Sequence, residues 1–88
     1  MTTSPNNIAT TVSASGVRFE GDVLCVVLSD GRELRVRPQN VPWLKWLANA
    51  TPVQREKWSL EPGGFAIFWD ELDDGFEVCH LLDLRPLG

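Results

Sequence analysis

Tyrosine is absent from this 88-residue chain, and histidine and methionine occur once each. The single histidine, His80, is the only side chain with an ordinary titration near neutrality, so general-base chemistry at neutral pH would have to use it. There are only two cysteines, Cys25 and Cys79, far apart and in no CxxC or metal-ligand spacing. That excludes a disulfide scaffold and a zinc knuckle. It leaves open two reduced thiols in strands or one disulfide joining the first strand to the last. No apolar run approaches the ~18 residues of a membrane span. No basic cluster followed by an apolar stretch opens the chain, so no secretion signal is expected and the expected location is cytoplasmic. Basic residues are scarce as well: eight Lys and Arg face twelve Asp and Glu, a net charge of −4. The deficit lies in the second part, where residues 51–88 hold three basic and eight acidic groups. Such a surface repels phosphate backbones, which argues against direct nucleic-acid binding. A Gly-rich phosphate loop is missing too; Gly63-Gly64 alone is a turn signal.

What is present is a dense set of tryptophans, four in one short chain, within a globular composition that is 43% hydrophobic and 23% charged. A chain of this length has room for one domain with a small core. Residues 1–13 are rich in Thr, Ser and Asn and read as a flexible tail, with an added edge strand at residues 8–12 as the other option. Residues 14–88 form the single domain.

The pattern from Ala14 is β. Val17 and Phe19 mark a short strand, Glu20-Gly21-Asp22 a turn, and residues 23–28 and 32–37 a hairpin about Ser29-Asp30-Gly31. Register selects the turn. A two-residue loop would oppose Leu28 to Glu33. A three-residue loop closed by Gly31 in the left-handed region pairs Val26 with Leu34 and Leu24 with Val36. Only the second places Leu24, Val26, Leu28, Leu34 and Val36 on one face. The other face then holds Cys25, Val27, Glu33, Arg35 and Arg37 and is at least partly wet. The arginine row suits a solvated face or a guarded sheet edge.

Pro38 ends the hairpin. Asn40 is placed to cap a helix from about residue 41 or 42 to 49. Thr51, Pro52 and Gln54 then form a capping box for a second helix reaching about residue 60. Glu61-Pro62-Gly63-Gly64 breaks it. Residues 65–69 read as a strand, 70–75 as a loop and 76–82 as the last strand. Strands, then helices, then strands predict an α+β, two-layer domain. It has an antiparallel sheet of about five strands and two short consecutive helices, in the order β-β-β-α-α-β-β.

The ordered motifs Ser29-Asp30-Gly31-Arg32, Pro42-Trp43-Leu44, Ala50-Thr51-Pro52, Arg55, Trp58, Ile67-Phe68-Trp69, Leu72-Asp73-Asp74 and Leu81-Leu82 resemble a bacterial family, domain of unknown function 2442. The resemblance covers residues 14–84. In three places the chain departs from that family's pattern: Phe68 stands for a common His, Asp70 for a Pro and Gly75 for an Asp. Domains similar to these occur alone, as the N-terminal part of some helix-turn-helix regulators, or beside another small protein in toxin–antitoxin-like pairs. The resemblance therefore implies a partner-binding role.

The strongest candidate segments are an acidic one and an aromatic one. Four of the five residues after Trp69 are acidic: Asp70, Glu71, Asp73 and Asp74. Read as a calcium loop, the segment places Leu72 at the third position and Leu81 at the twelfth, where oxygen ligands are required. No metal or other cofactor is expected there. The remaining readings are a solvated turn with Asx-type hydrogen bonds, or an acidic surface for a basic partner. Cys79 and His80 are adjacent, and in a strand adjacent side chains face opposite ways and cannot form a nucleophile–base pair. On a helical wheel, Val41, Trp43, Leu44, Trp46, Leu47, Ala48 and Ala50 cover an apolar arc of about 220°, against roughly 100° for a helix lying on a sheet. The second helix, the tail or another chain must cover the excess. Trp58 and Trp69 read as core. The expected function is protein–protein interaction without catalysis, with Trp43, Trp46, Asp70, Glu71, Asp73 and Asp74 as candidate partner-binding residues. The partner is another protein or a second copy, and an antitoxin-like or inhibitor-like role fits the size and charge. A regulatory module acting with a DNA-binding partner is the alternative.

Overall fold

The structure, a computed structural model, describes residues 12–84. The expected tail and its optional strand at residues 8–12 lie outside that range except for Ser13 and for Val12, which is buried in the core. Ser13 is tied to the hairpin turn by its N–H on Ser29 Oγ and its carbonyl accepting the Ser29 N–H.

The fold is α+β, with two three-stranded antiparallel sheets in place of the expected single five-stranded one. Strands β1 (Ala14–Glu20), β2 (Val23–Leu28) and β3 (Glu33–Val36) form the first. Strands β4 (Trp58–Leu60), β5 (Ala66–Trp69) and β6 (Asp74–Glu77) form the second. The β3 edge stays unpaired because Pro38 ends the strand and charged side chains flank it. The β2–β3 register is the expected one: Leu24 opposes Val36 and Val26 opposes Leu34. Gly31 sits at φ +93, and its N–H bonds the Leu28 carbonyl at 3.0 Å.

One element expected on the wet face is not wet. Cys25 is fully buried. Four charged side chains spread over its face: Arg18 bonds Glu20 and Glu33, and Arg35 bonds Glu20 and Glu33 in turn. Arg35 Nη1 also reaches the Cys25 sulfur at 3.4 Å. Burial pushes the Cys25 thiol upward, partly opposed by Arg35. Both cysteines are free.

The first helix is shorter than expected. Residues 38–40 and 42–44 are single 3-10 turns, each begun by a proline, and the α-helix α1 is only Lys45–Ala48. Val41 lies between them in extended geometry, φ −119 and ψ 113. A residue before proline is driven out of the helical region, and Val41 precedes Pro42. Asn40 therefore caps nothing with its side chain.

The second helix, α2 (Pro52–Arg55), has the expected capping box: Gln54 N–H donates to Thr51 Oγ1, and Thr51 N–H donates to Gln54 Oε1. It stops at Arg55, where a helix to residue 60 was expected. In a continued helix Trp58 and Leu60 would point about 200° apart. As β4 both turn inward and pack on the core, with Ser59 outward. The last segment also differs: β6 ends at Glu77 and a helix, α3 (Val78–Leu82), replaces the expected strand. Val78 and Leu81 are both buried. An odd separation splits them across a strand but aligns them on a helix.

Both sheets and the helical segments share one core, with Leu24, Val26, Leu44, Leu47, Ile67 and Trp69 fully buried. Arg55 joins its parts. It is only 9% exposed, and its guanidinium donates to the carbonyls of Leu47 (3.4 Å) and Ala48 (2.9 Å), satisfying the end of α1. The same group lies 4.8 Å over the Phe19 ring.

Candidate functional site

Four aromatic rings run from the core to the surface. Trp69, fully buried on β5, contacts Trp46 from α1 (centroids 5.8 Å apart) and Phe76 from β6 (5.7 Å). Trp43, from the 3-10 turn before α1, forms T-shaped pairs with Phe76 at 5.8 Å and with His80 of α3 at 6.0 Å. The Trp46 indole N–H donates to the Trp43 carbonyl at 2.9 Å, fixing one ring against the backbone that holds the other. Trp43 remains 39% exposed.

Trp43, Trp46, Phe76 and His80 line an open groove of about 710 Å³ whose walls also include Asp74, Glu77, Asp83 and Leu84. Of the candidate residues, the structure brings Trp43, Trp46 and Asp74 to this groove. Asp70, Glu71 and Asp73 do not line it. They belong to the β5–β6 turn, where Asp73 adopts the left-handed region (φ +50) and Glu71 pairs with Lys57 at 2.7 Å. The turn is held by its own hydrogen bonds: Asp73 N–H to the Asp70 carbonyl, and Gly75 N–H to Asp74 Oδ1 at 2.8 Å. Of the four acidic residues, Asp74 alone faces the groove. Gly75 is the departure with a geometric reason. A Cβ there would collide with the Ile67 carbonyl and approach Phe68, so the Asp common at that place in similar sequences has no room in this backbone.

Sequence reasoning missed Phe76, Glu77, His80, Asp83 and Leu84. The available signal was Glu77, His80 and Leu84 at i, i+3 and i+7, a helical stripe hidden by reading residues 76–82 as a strand.

The helix also changes the geometry of Cys79 and His80, which no longer point to opposite faces. Among the described residues, Glu77, Cys79 and His80 form one of two groups of potential metal ligands, their donor atoms within 4.8 Å of one another. All three are exposed, and the thiol's hydrogen-bond partner is Glu77 at 4.0 Å rather than the imidazole. The other group, Glu20, Cys25 and Glu33, is engaged by Arg18 and Arg35. Those arginines hold both glutamates below the usual carboxylate range.

The family described as "Protein of unknown function (DUF2442)" matches residues 14–86. The chain belongs to this family. No curated protein matches it. Two solved structures share the fold. One is a protein of unknown function from Rhodospirillum rubrum, 19% identical, TM-score 0.69, with 81% of this chain and 84% of that one covered. The other is an uncharacterised protein from Chromobacterium violaceum, 23% identical, TM-score 0.67, with 81% and 64% covered. No helix among the described residues is long and apolar enough to cross a membrane.

Proposed function

We propose that this DUF2442 chain is a protein-interaction domain without catalytic activity, and that its docking face is the groove between Trp43, Trp46 and α3. The observation that carries this is Trp43: a large ring, 39% exposed, held in place by Phe76 and His80 beside an open cavity. Aromatic anchors fixed before binding cost little entropy to engage and are enriched at interface centres. The non-catalytic part is supported by His80, whose side chain is 56% exposed and, among the described residues, has only Glu77 beside it at ion-pair distance. An antitoxin-like or inhibitor-like role fits the chain's size and net negative charge.

The occupant is a different protein. A two-fold dimer through this groove would bring Asp74, Glu77 and Asp83 toward their own copies, and like charges across an interface are unfavourable. The test is affinity capture from native cells with the wild-type chain and the Trp43→Ala variant. The partner lost by the variant is then identified, purified and reconstituted with each form. Reconstituted binding that is weakened at least about tenfold by Trp43→Ala supports the reading. Equal binding by both forms removes this groove as the docking face.

A further inference from the structure

Three carboxylates line the groove. On the β1–β3 hairpin Glu20 and Glu33 are satisfied by Arg18 and Arg35, and on the β5–β6 turn Glu71 is satisfied by Lys57. The groove differs. Asp74 enters it at the start of β6, Glu77 at the end of β6 and Asp83 after α3. Among the described residues, no lysine or arginine lines it or forms an ion pair with these three carboxylates. Among the described residues, carboxylates without a lysine or arginine partner therefore stand beside the exposed aromatic rings.

The rings have the matching geometry. Trp43 is nearly perpendicular to both Phe76 and His80, at 71° and 73°. Neither ring is stacked parallel on Trp43, and at 39% exposure the indole keeps ring surface for a ligand; the electron-rich face of tryptophan attracts cations most strongly. The Trp46 N–H is already used by the Trp43 carbonyl, so this indole brings its ring rather than a free donor. Rings and carboxylates around one cavity form the chemistry of a cage for an ammonium or guanidinium group.

Resting on the docking reading above, we propose that the groove binds a basic segment of the partner protein and seats one arginine or lysine side chain between Trp43, Trp46 and the carboxylates of Asp74, Glu77 and Asp83. Charge complementarity commits the occupant: an acidic segment would meet Asp74, Glu77 and Asp83 as like charges, and a neutral one would offer them no cation.

The experiment follows amide and indole N–H resonances of the full chain during titration with defined ten-residue Gly/Ser peptides. One carries two arginines, one two lysines, one two citrullines and one two glutamates. The expected result is shifts at Trp43, Trp46 and residues 74–83 with the arginine or lysine peptide only. Affinity should fall about tenfold or more with Trp43→Ala and with the triple change Asp74→Asn, Glu77→Gln, Asp83→Asn, and should fall as salt rises. Equal binding of the citrulline peptide overturns the proposal, as does the absence of shifts in the groove at millimolar basic peptide. Tetramethylammonium binding as tightly as the peptide would assign the groove to a free organic cation and overturn the protein-segment assignment. Occupation by a second copy of the chain, or by its own residues after Leu84, would overturn it as well and would appear as concentration-dependent or truncation-dependent shifts without peptide. If the reconstituted partner is lost by Trp43→Ala but unaffected by the triple change, the cation assignment fails and the docking reading stands.

Discussion

The indole N–H of Trp69 donates to the backbone carbonyl of Arg55 at 3.0 Å, joining the end of β5 to the last residue of α2. The side chain of Arg55 meanwhile holds the last carbonyls of α1. Two residues thus connect both helices before the second sheet to that sheet. Trp69→Phe removes the donor and leaves a carbonyl without its partner in the interior. The expected loss is about 2–3 kcal/mol, read as a shift of the urea midpoint with an unchanged slope.

Arg55→Lys keeps the charge but not the planar fork that reaches two carbonyls and lies over Phe19. It should cost about 1–2 kcal/mol and Arg55→Ala about 3 kcal/mol or more. Thermal melts would show the order wild type, Lys, Ala. Equal melting of the Lys variant and wild type would mean that charge alone suffices.

Trp43 and Trp69 should respond unequally to truncation. Trp43→Ala, at a ring 39% exposed, should cost about 1 kcal/mol as its contacts with Phe76 and His80 are lost. Trp69→Ala, at a fully buried ring, should cost about 3–5 kcal/mol. Comparable losses would mean that Trp43 is structural rather than poised for a partner.

Acid should loosen the first sheet. Arg18 and Arg35 depress the carboxyl groups of Glu20 and Glu33. A carboxyl whose folded-state value lies below its unfolded one stabilises the fold above the unfolded value and loses that contribution as pH falls through the folded one. Hairpin stability is therefore complete at neutrality and declines below the ordinary carboxylate value of 4.5. The decline should be smaller in Glu20→Gln/Glu33→Gln and at high salt, because the network is exposed. Amide exchange of β1 and β3 across pH would show it.

Gly75→Asp restores the residue common in similar sequences but places a Cβ against the Ile67 carbonyl and Phe68. It should destabilise by about 1–3 kcal/mol through backbone displacement. Asp73→Gly, at φ +50, should be neutral or slightly stabilising. Both are read by denaturant midpoint.

The β2–β3 hairpin is readable from residues 23–36 alone because alternation and a glycine turn constrain each other. A register slip of one residue would invert every apolar side chain. The Thr51–Gln54 box is readable because it is local. β4 is not: three residues give too few alternations to separate a strand from a helix end, and pairing with β5 decides the matter. α3 is obscured by the same brevity. The division into two sheets depends on which edges meet, and nothing in the alternation of either hairpin encodes that. For the site, Trp43 and Trp46 stood out because their apolar arc was too wide for one supporting surface. The residues opposite them were hidden by the strand assignment, and most of the acidic cluster belonged to a turn.

The ionic lattice over Cys25 gives the chain an internal clock. Cys79 is exposed while Cys25 is sealed beneath Arg18, Glu20, Glu33 and Arg35. The two thiols of one molecule should therefore react with an alkylating reagent on different timescales. The slow one reports how often the hairpin opens, and the fast one serves as the reference for the reagent itself.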